Sequence, residues 1–74
     1  MKLLDAPKNE TVHIIKYTGG KGVDSKLRQL GIGPGSAVKV LRYAPLGGPL
    51  MVDVGGRSVA IGRGIAAKIQ VEKV

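Results

Sequence analysis

Cysteine, phenylalanine and tryptophan are absent from the chain, histidine occurs once and tyrosine twice. Without cysteine there is neither a disulfide nor a thiolate metal site, so the usual staples of a small fold are missing. A domain near this size buries only about 60% of the surface its unfolded chain exposes, which leaves a small stability margin. The core must therefore come from Val, Ile, Leu and Ala. Acidic residues are also scarce, five against twelve Lys and Arg, and Asp5, Glu10, Asp24, Asp53 and Glu72 are scattered. No local carboxylate pair is available for acid–base work. His13 has no companion at ligand spacing and reads as a surface or boundary residue. These shortages point away from an enzyme, from a metal site and from a bound cofactor. No apolar run approaches the roughly 20 residues of a membrane helix. Asp5 and Pro7 interrupt the start before a signal-peptide core can form. The expectation is one soluble cytoplasmic domain over residues 1–74.

What the chain has is positive charge, a net +7. Such an excess attracts polyanions: nucleic acid, an anionic membrane face or an acidic protein. The basic residues form no dense run, and a solvated surface that keeps a small protein soluble explains them equally well.

Residues 27–40 organise the rest. They read as the end of a short helix, a glycine stop at Gly31, a Pro34-Gly35 turn and the strand Val38-Lys39-Val40. Val23, Leu27 and Leu30 share one helical face, and Asp24 or Ser25 is placed to cap the start. A Schellman ending at Gly31 would join the Ile32 N–H to the Leu27 carbonyl and bring both side chains together.

Around this unit lie strand-like segments at Thr11–Thr18, Ala37–Ala44, Leu50–Val54, Arg57–Ile61 and Lys68–Glu72. Gly19-Gly20-Lys21-Gly22 reads as a flexible loop; it lacks the spacing of a phosphate-binding loop, and Gly22 follows the lysine. Gly55-Gly56 predicts a two-residue hairpin that sets Val52 against Val59 and Leu50 against Ile61 on the core side. Met51 then faces Ala60, and Asp53 faces Ser58, on the other side. Residues 62–67 predict a tight 3₁₀-type turn, and residues 1–10 either a helical turn over one end of the core or a frayed terminus. The sum is an all-β fold, a small barrel with one short inserted α-helix, whose closure would also remove exposed strand edges.

The helix ending Leu30-Gly31-Ile32-Gly33-Pro34-Gly35 is followed by Ala44-Pro45-Leu46-Gly47-Gly48-Pro49-Leu50, Asp53-Val54-Gly55-Gly56, then Ala66 and Ile69-Gln70-Val71. In this order the pieces resemble the ferrous iron transport protein A family, FeoA, across most of the chain. The resemblance implies an SH3-like barrel, which stands alone or closes metal-dependent repressors of the DtxR type. It also implies a cytoplasmic accessory protein of ferrous iron uptake, whose partner is the membrane transporter FeoB and which meets the membrane only through it.

The candidate partner-binding residues are Tyr43, Pro45, Leu46 and Met51. Two prolines stiffen the loop around Leu46 and lower the entropy cost of presenting it, while Tyr43 and Met51 are expected on the outer face nearby. In the competing reading Leu46 folds back over the barrel end. Arg28, Arg42, Arg57 and Arg63 are each conceivable as an arginine donated to a partner GTPase, but a solvated surface role is the better reading of each, and the sequence does not rank them. The other functional class is a basic barrel on nucleic acid. Single-strand binders stack bases on several aromatics, and only Tyr17 and Tyr43 are present, so such binding would be electrostatic and unspecific.

Overall fold

The helix ends as its glycine requires. In the computed structural model, which describes Met1 to Val74, α1 spans Gly20–Leu30 and Gly31 follows with a φ of 75°. The Ile32 N–H donates to the Leu27 carbonyl at 2.9 Å and the Gly31 N–H to that of Arg28 at 3.1 Å, the two bonds of a Schellman ending. Leu27 and Ile32 are both buried. The Pro34-Gly35 turn closes through the Ser36 N–H on the Gly33 carbonyl at 3.0 Å.

The start of α1 differs from expectation. Gly20, Lys21 and Gly22 form its first turn, and its cap is Gly19, with a φ of 103° and no side-chain bond. A β-carbon on Gly19 would lie 2.5 Å from Val23 Cγ2, so the entry is set by close packing under Val23. Asp24 and Ser25 lie inside the helix and cap nothing.

Five strands follow the expected places: β1 Thr11–Tyr17, β2 Ala37–Tyr43, β3 Leu50–Val54, β4 Arg57–Ile61 and β5 Ile69–Lys73. They form one antiparallel sheet in the order β4-β3-β2-β1-β5. The β3–β4 register is the one the glycine pair dictates, with Leu50 opposite Ile61, Met51 opposite Ala60, Val52 opposite Val59 and Asp53 opposite Ser58. Gly55 and Gly56 both have positive φ, at 59° and 86°, as a type I′ turn needs. The stretch expected as a 3₁₀ turn is one α-helical turn, α2 Arg63–Ala66, because the Ala66 and Ala67 N–H groups reach back four residues to Gly62 and Arg63.

Bulges interrupt β1 between Ile14 and Lys16 and β2 between Val40 and Arg42. Each bulge flips the side-chain alternation beyond it. Ile15 and Leu41 are exposed, as plain alternation already places them, while beyond the bulges Tyr17 and Tyr43 turn back to pack on the core.

The core is a single cluster of sixteen apolar residues with no buried polar side chain. Leu3, in the 3₁₀ turn Leu3–Asp5, is wholly buried, so the first residues close the barrel end and are not frayed. Ile61 of β4 and Ile69 of β5 belong to the same cluster, and the sheet thus wraps one core. The hydrogen-bonded ladder itself does not close as expected, since β4 and β5 do not pair. The outer side of β5 is instead lined by Met1 and Lys2: the Val71 N–H donates to the Met1 carbonyl at 2.7 Å, and Lys2 bridges Gln70. β4 has a partner on one side only.

Candidate partner-docking site

The β2–β3 connection is built to hold its tip still. The Gly48 N–H donates to the Pro45 carbonyl and the Ala44 N–H to the Pro49 carbonyl, each at 3.1 Å. Leu46 and Gly47 between them have φ of 58° and 74°, the left-handed pair of a type I′ turn. Gly47 accepts this freely, whereas a leucine there costs about 1–2 kcal/mol. Leu46 is as exposed as a residue can be, at 104% of its reference area. It does not fold back over the barrel.

Such strain persists only where the surroundings over-determine it. Here the restraint comes from Arg63, whose Nε donates to the Gly48 carbonyl at 3.0 Å and whose Nη2 donates to the Ala44 carbonyl at 3.2 Å. Gly48 adds a steric lock, because a β-carbon on it would fall 2.8 Å from Ala44 Cβ. Sequence reasoning left Arg63 as one of four equivalent arginines. A signal was present nonetheless: extending the Leu50–Ile61 register by two residues sets Gly48 against Arg63.

Of the other predicted site residues, Pro45 is exposed and Met51 half-buried. Met51 pairs with Arg42 across β2 and with Ala60 across β4, on the outer face of the sheet. Tyr43 is not free on that face. The bulge in β2 turns its ring inward, and its hydroxyl donates to the Ala6 carbonyl, tying the base of the loop to the first residues. Burial, then the nearby Asp5 charge, raise its pKa above the usual tyrosine value.

The arginines divide by role. Arg28 pairs with Asp24 at 2.8 Å on the surface of α1. Arg57 Nη2 donates to the Leu30 carbonyl at 3.1 Å, at the helix C-terminus, where a cation complements the dipole. Arg63 holds the loop. Arg42 is exposed with no protein partner, beside Met51.

Outside the loop, Tyr17 donates to the Asp24 carboxylate, joining β1 to α1. That bond first, and Arg28 second, hold Asp24 below the ordinary carboxylate range, and the same bond raises Tyr17. His13 is half-buried between Ala37 and Glu72, and no group of three or more His, Cys, Asp or Glu converges anywhere. An open groove of about 190 Å³ lies by the Gly55-Gly56 turn, at the far end of β3 from Leu46. No helix is long and apolar enough to cross a membrane.

The FeoA domain model matches residues 1–73. The chain belongs to the FeoA family. It is similar to a Methanocaldococcus jannaschii protein provisionally named Fe(2+) transport protein A, 40% identical over 67 residues that span 90% of this chain and 79% of that one. Among solved structures it is similar to an iron uptake regulatory protein (FeoA), at 31% identity and a TM-score of 0.90, over 100% of this chain and 97% of that one. The manganese-activated repressor ScaR in its apo form aligns with a TM-score of 0.90 over 100% of this chain and 35% of its own. At 20% identity that likeness is one of fold alone. The architecture is the SH3-like small barrel of FeoA, and the family is one of ferrous iron transport.

Proposed function

We propose that this FeoA-family chain acts as one unit, residues 1–74, in the cytoplasm, as an accessory protein of ferrous iron uptake. In this reading it works by contact with the cytoplasmic part of a FeoB-type transporter and carries out no chemistry of its own. The Tyr43–Met51 loop makes the contact: Leu46 enters an apolar pocket of the partner, Pro45 and Met51 flank it, and Tyr43 anchors the base. The observation that carries this reading is the fully exposed Leu46, held in a left-handed conformation that leucine avoids. A rigid knob loses little entropy on docking. The net charge of +7 assists approach to an acidic surface.

A pull-down of FeoB with wild-type protein and with Leu46→Asp tests the idea. The wild type should retain the transporter and the variant should lose it. Equal recovery by both, with the variant folded, would remove the loop from the account.

A further inference from the structure

We infer that the outer edge of β4 is a second docking surface, which takes an extended acidic segment of a partner protein as an added strand. It is separate from the Leu46 loop and does not depend on it.

The geometry follows from the hairpin. In a two-residue hairpin the residues that flank the turn, Val54 and Arg57, bond to each other through both N–H and C=O. Bonded pairs then recur at every second position, at Val52–Val59 and Leu50–Ile61. The backbone groups of Ser58 and Ala60 point the other way, to a side of the sheet with no strand. Both residues are exposed, and neither backbone appears in any turn, loop or cap bond. Two N–H and two C=O groups thus stand in line and open.

Edges of this kind are usually guarded by proline, lysine, a bulge or a covering segment. The β5 edge is covered by Met1 and Lys2. β4 has no proline, no lysine and a regular register. An unguarded edge recruits strands, and main-chain bonds supply affinity whatever the partner's sequence.

Charge selects the occupant. Arg57 begins β4 at one end of the open groups, while Arg63, just past the other end, turns its guanidinium to the β2–β3 loop. Arg57 spends one donor on the Leu30 carbonyl, which leaves it N–H groups for a carboxylate, and the net charge of +7 favours the same acidic partner. A second copy fits poorly. It would bring another +7 charge and a β4 without any acidic residue.

The test is an amide NMR titration with a capped hexapeptide alternating Glu and Val, against a matched Lys–Val peptide. Without peptide, the Ser58 and Ala60 amides should exchange freely. With the acidic peptide, those two signals should shift and become protected. The lysine peptide, and an acidic peptide N-methylated at alternate residues, should each bind at least about tenfold more weakly. Ala60→Pro, tolerated where an edge N–H faces solvent, should weaken binding by a similar factor, whereas Leu46→Asp should not change it. Should Ala60→Pro fail to fold, the N-methylated peptide on the wild-type protein decides. Equal binding by both charged peptides would overturn the proposal. So would shifts confined to the groove by Lys39 and Gly55. Protection of Ser58 and Ala60 that appears with protein concentration alone would assign the edge to a second copy and overturn it as well.

Discussion

Arg63 stands opposite Gly48 and donates to its carbonyl from Nε at 3.0 Å, while Nη2 reaches Ala44 on the other side of the turn at 3.2 Å. One guanidinium thus closes both arms of the loop around Leu46. Its rigid fork matches two carbonyls at once, which a lysine ammonium does not.

Arg63→Ala should therefore lower stability by about 1.5–3 kcal/mol, the range for hydrogen bonds that involve a charged group. Amide exchange should quicken at Gly48 more than in β3. Arg63→Lys should recover little of the loss. Unfolding by denaturant and exchange by NMR read the two effects separately.

Leu46→Asn has an opposite sign. Asn-Gly is the preferred pair for a type I′ turn, so the substitution should raise stability by up to about 1 kcal/mol. The same change removes the knob and should abolish recovery of FeoB. A variant that is more stable yet does not bind would mark Leu46 as retained for contact against its own conformational cost. A drop in the unfolding midpoint would contradict this account of the turn.

Leu27→Ala should cost about 2–5 kcal/mol, as for other buried leucines. Leu27 is fully buried, and its carbonyl accepts the bond that ends α1. An unchanged thermal midpoint would take it out of the core.

The Tyr17–Asp24 bond links stability to pH at both ends. Asp24 has a depressed pKa in the folded protein, chiefly from Tyr17 and then from Arg28. Its contribution is complete above the unfolded value, near 3.9, and is lost as pH falls through the folded one. Tyr17 has a raised pKa, chiefly from the same bond. Its contribution is complete below about 10 and is lost as pH rises through the folded value. Thermal midpoints of wild type and Tyr17→Phe should separate most near neutrality and converge towards both extremes. A constant gap would show that the bond contributes nothing.

Local rules carried far in this chain. Gly55-Gly56 dictated four cross-strand pairs, and Gly31 dictated both bonds of the helix end. Misreadings arose where a distant contact overrides a local preference. Gly20 and Gly22 are poor helix formers, yet they enter α1 because Gly19 admits Val23 above it. Plain alternation from Val38 and Val40 sets Tyr43 outward, but the bulge reverses it and Ala6 receives its hydroxyl. Of the candidate site, the exposed Leu46 was legible from its prolines. The clamp by Arg63 was marked only by the hairpin register carried two residues past Leu50 and Ile61, and by nothing in the residues around Arg63 itself.

The pairing of β1 has a kinetic side. One of its neighbours, β2, follows soon after, but the other is β5, with Val12 against Lys73 and Ile14 against Val71. During synthesis β1 keeps one flank vacant until β5 emerges, and the barrel cannot assemble progressively behind the ribosome. Such non-local pairing makes refolding slower than that of a helical protein of equal length, because the entropy of closing so long a loop is spent before its contacts form.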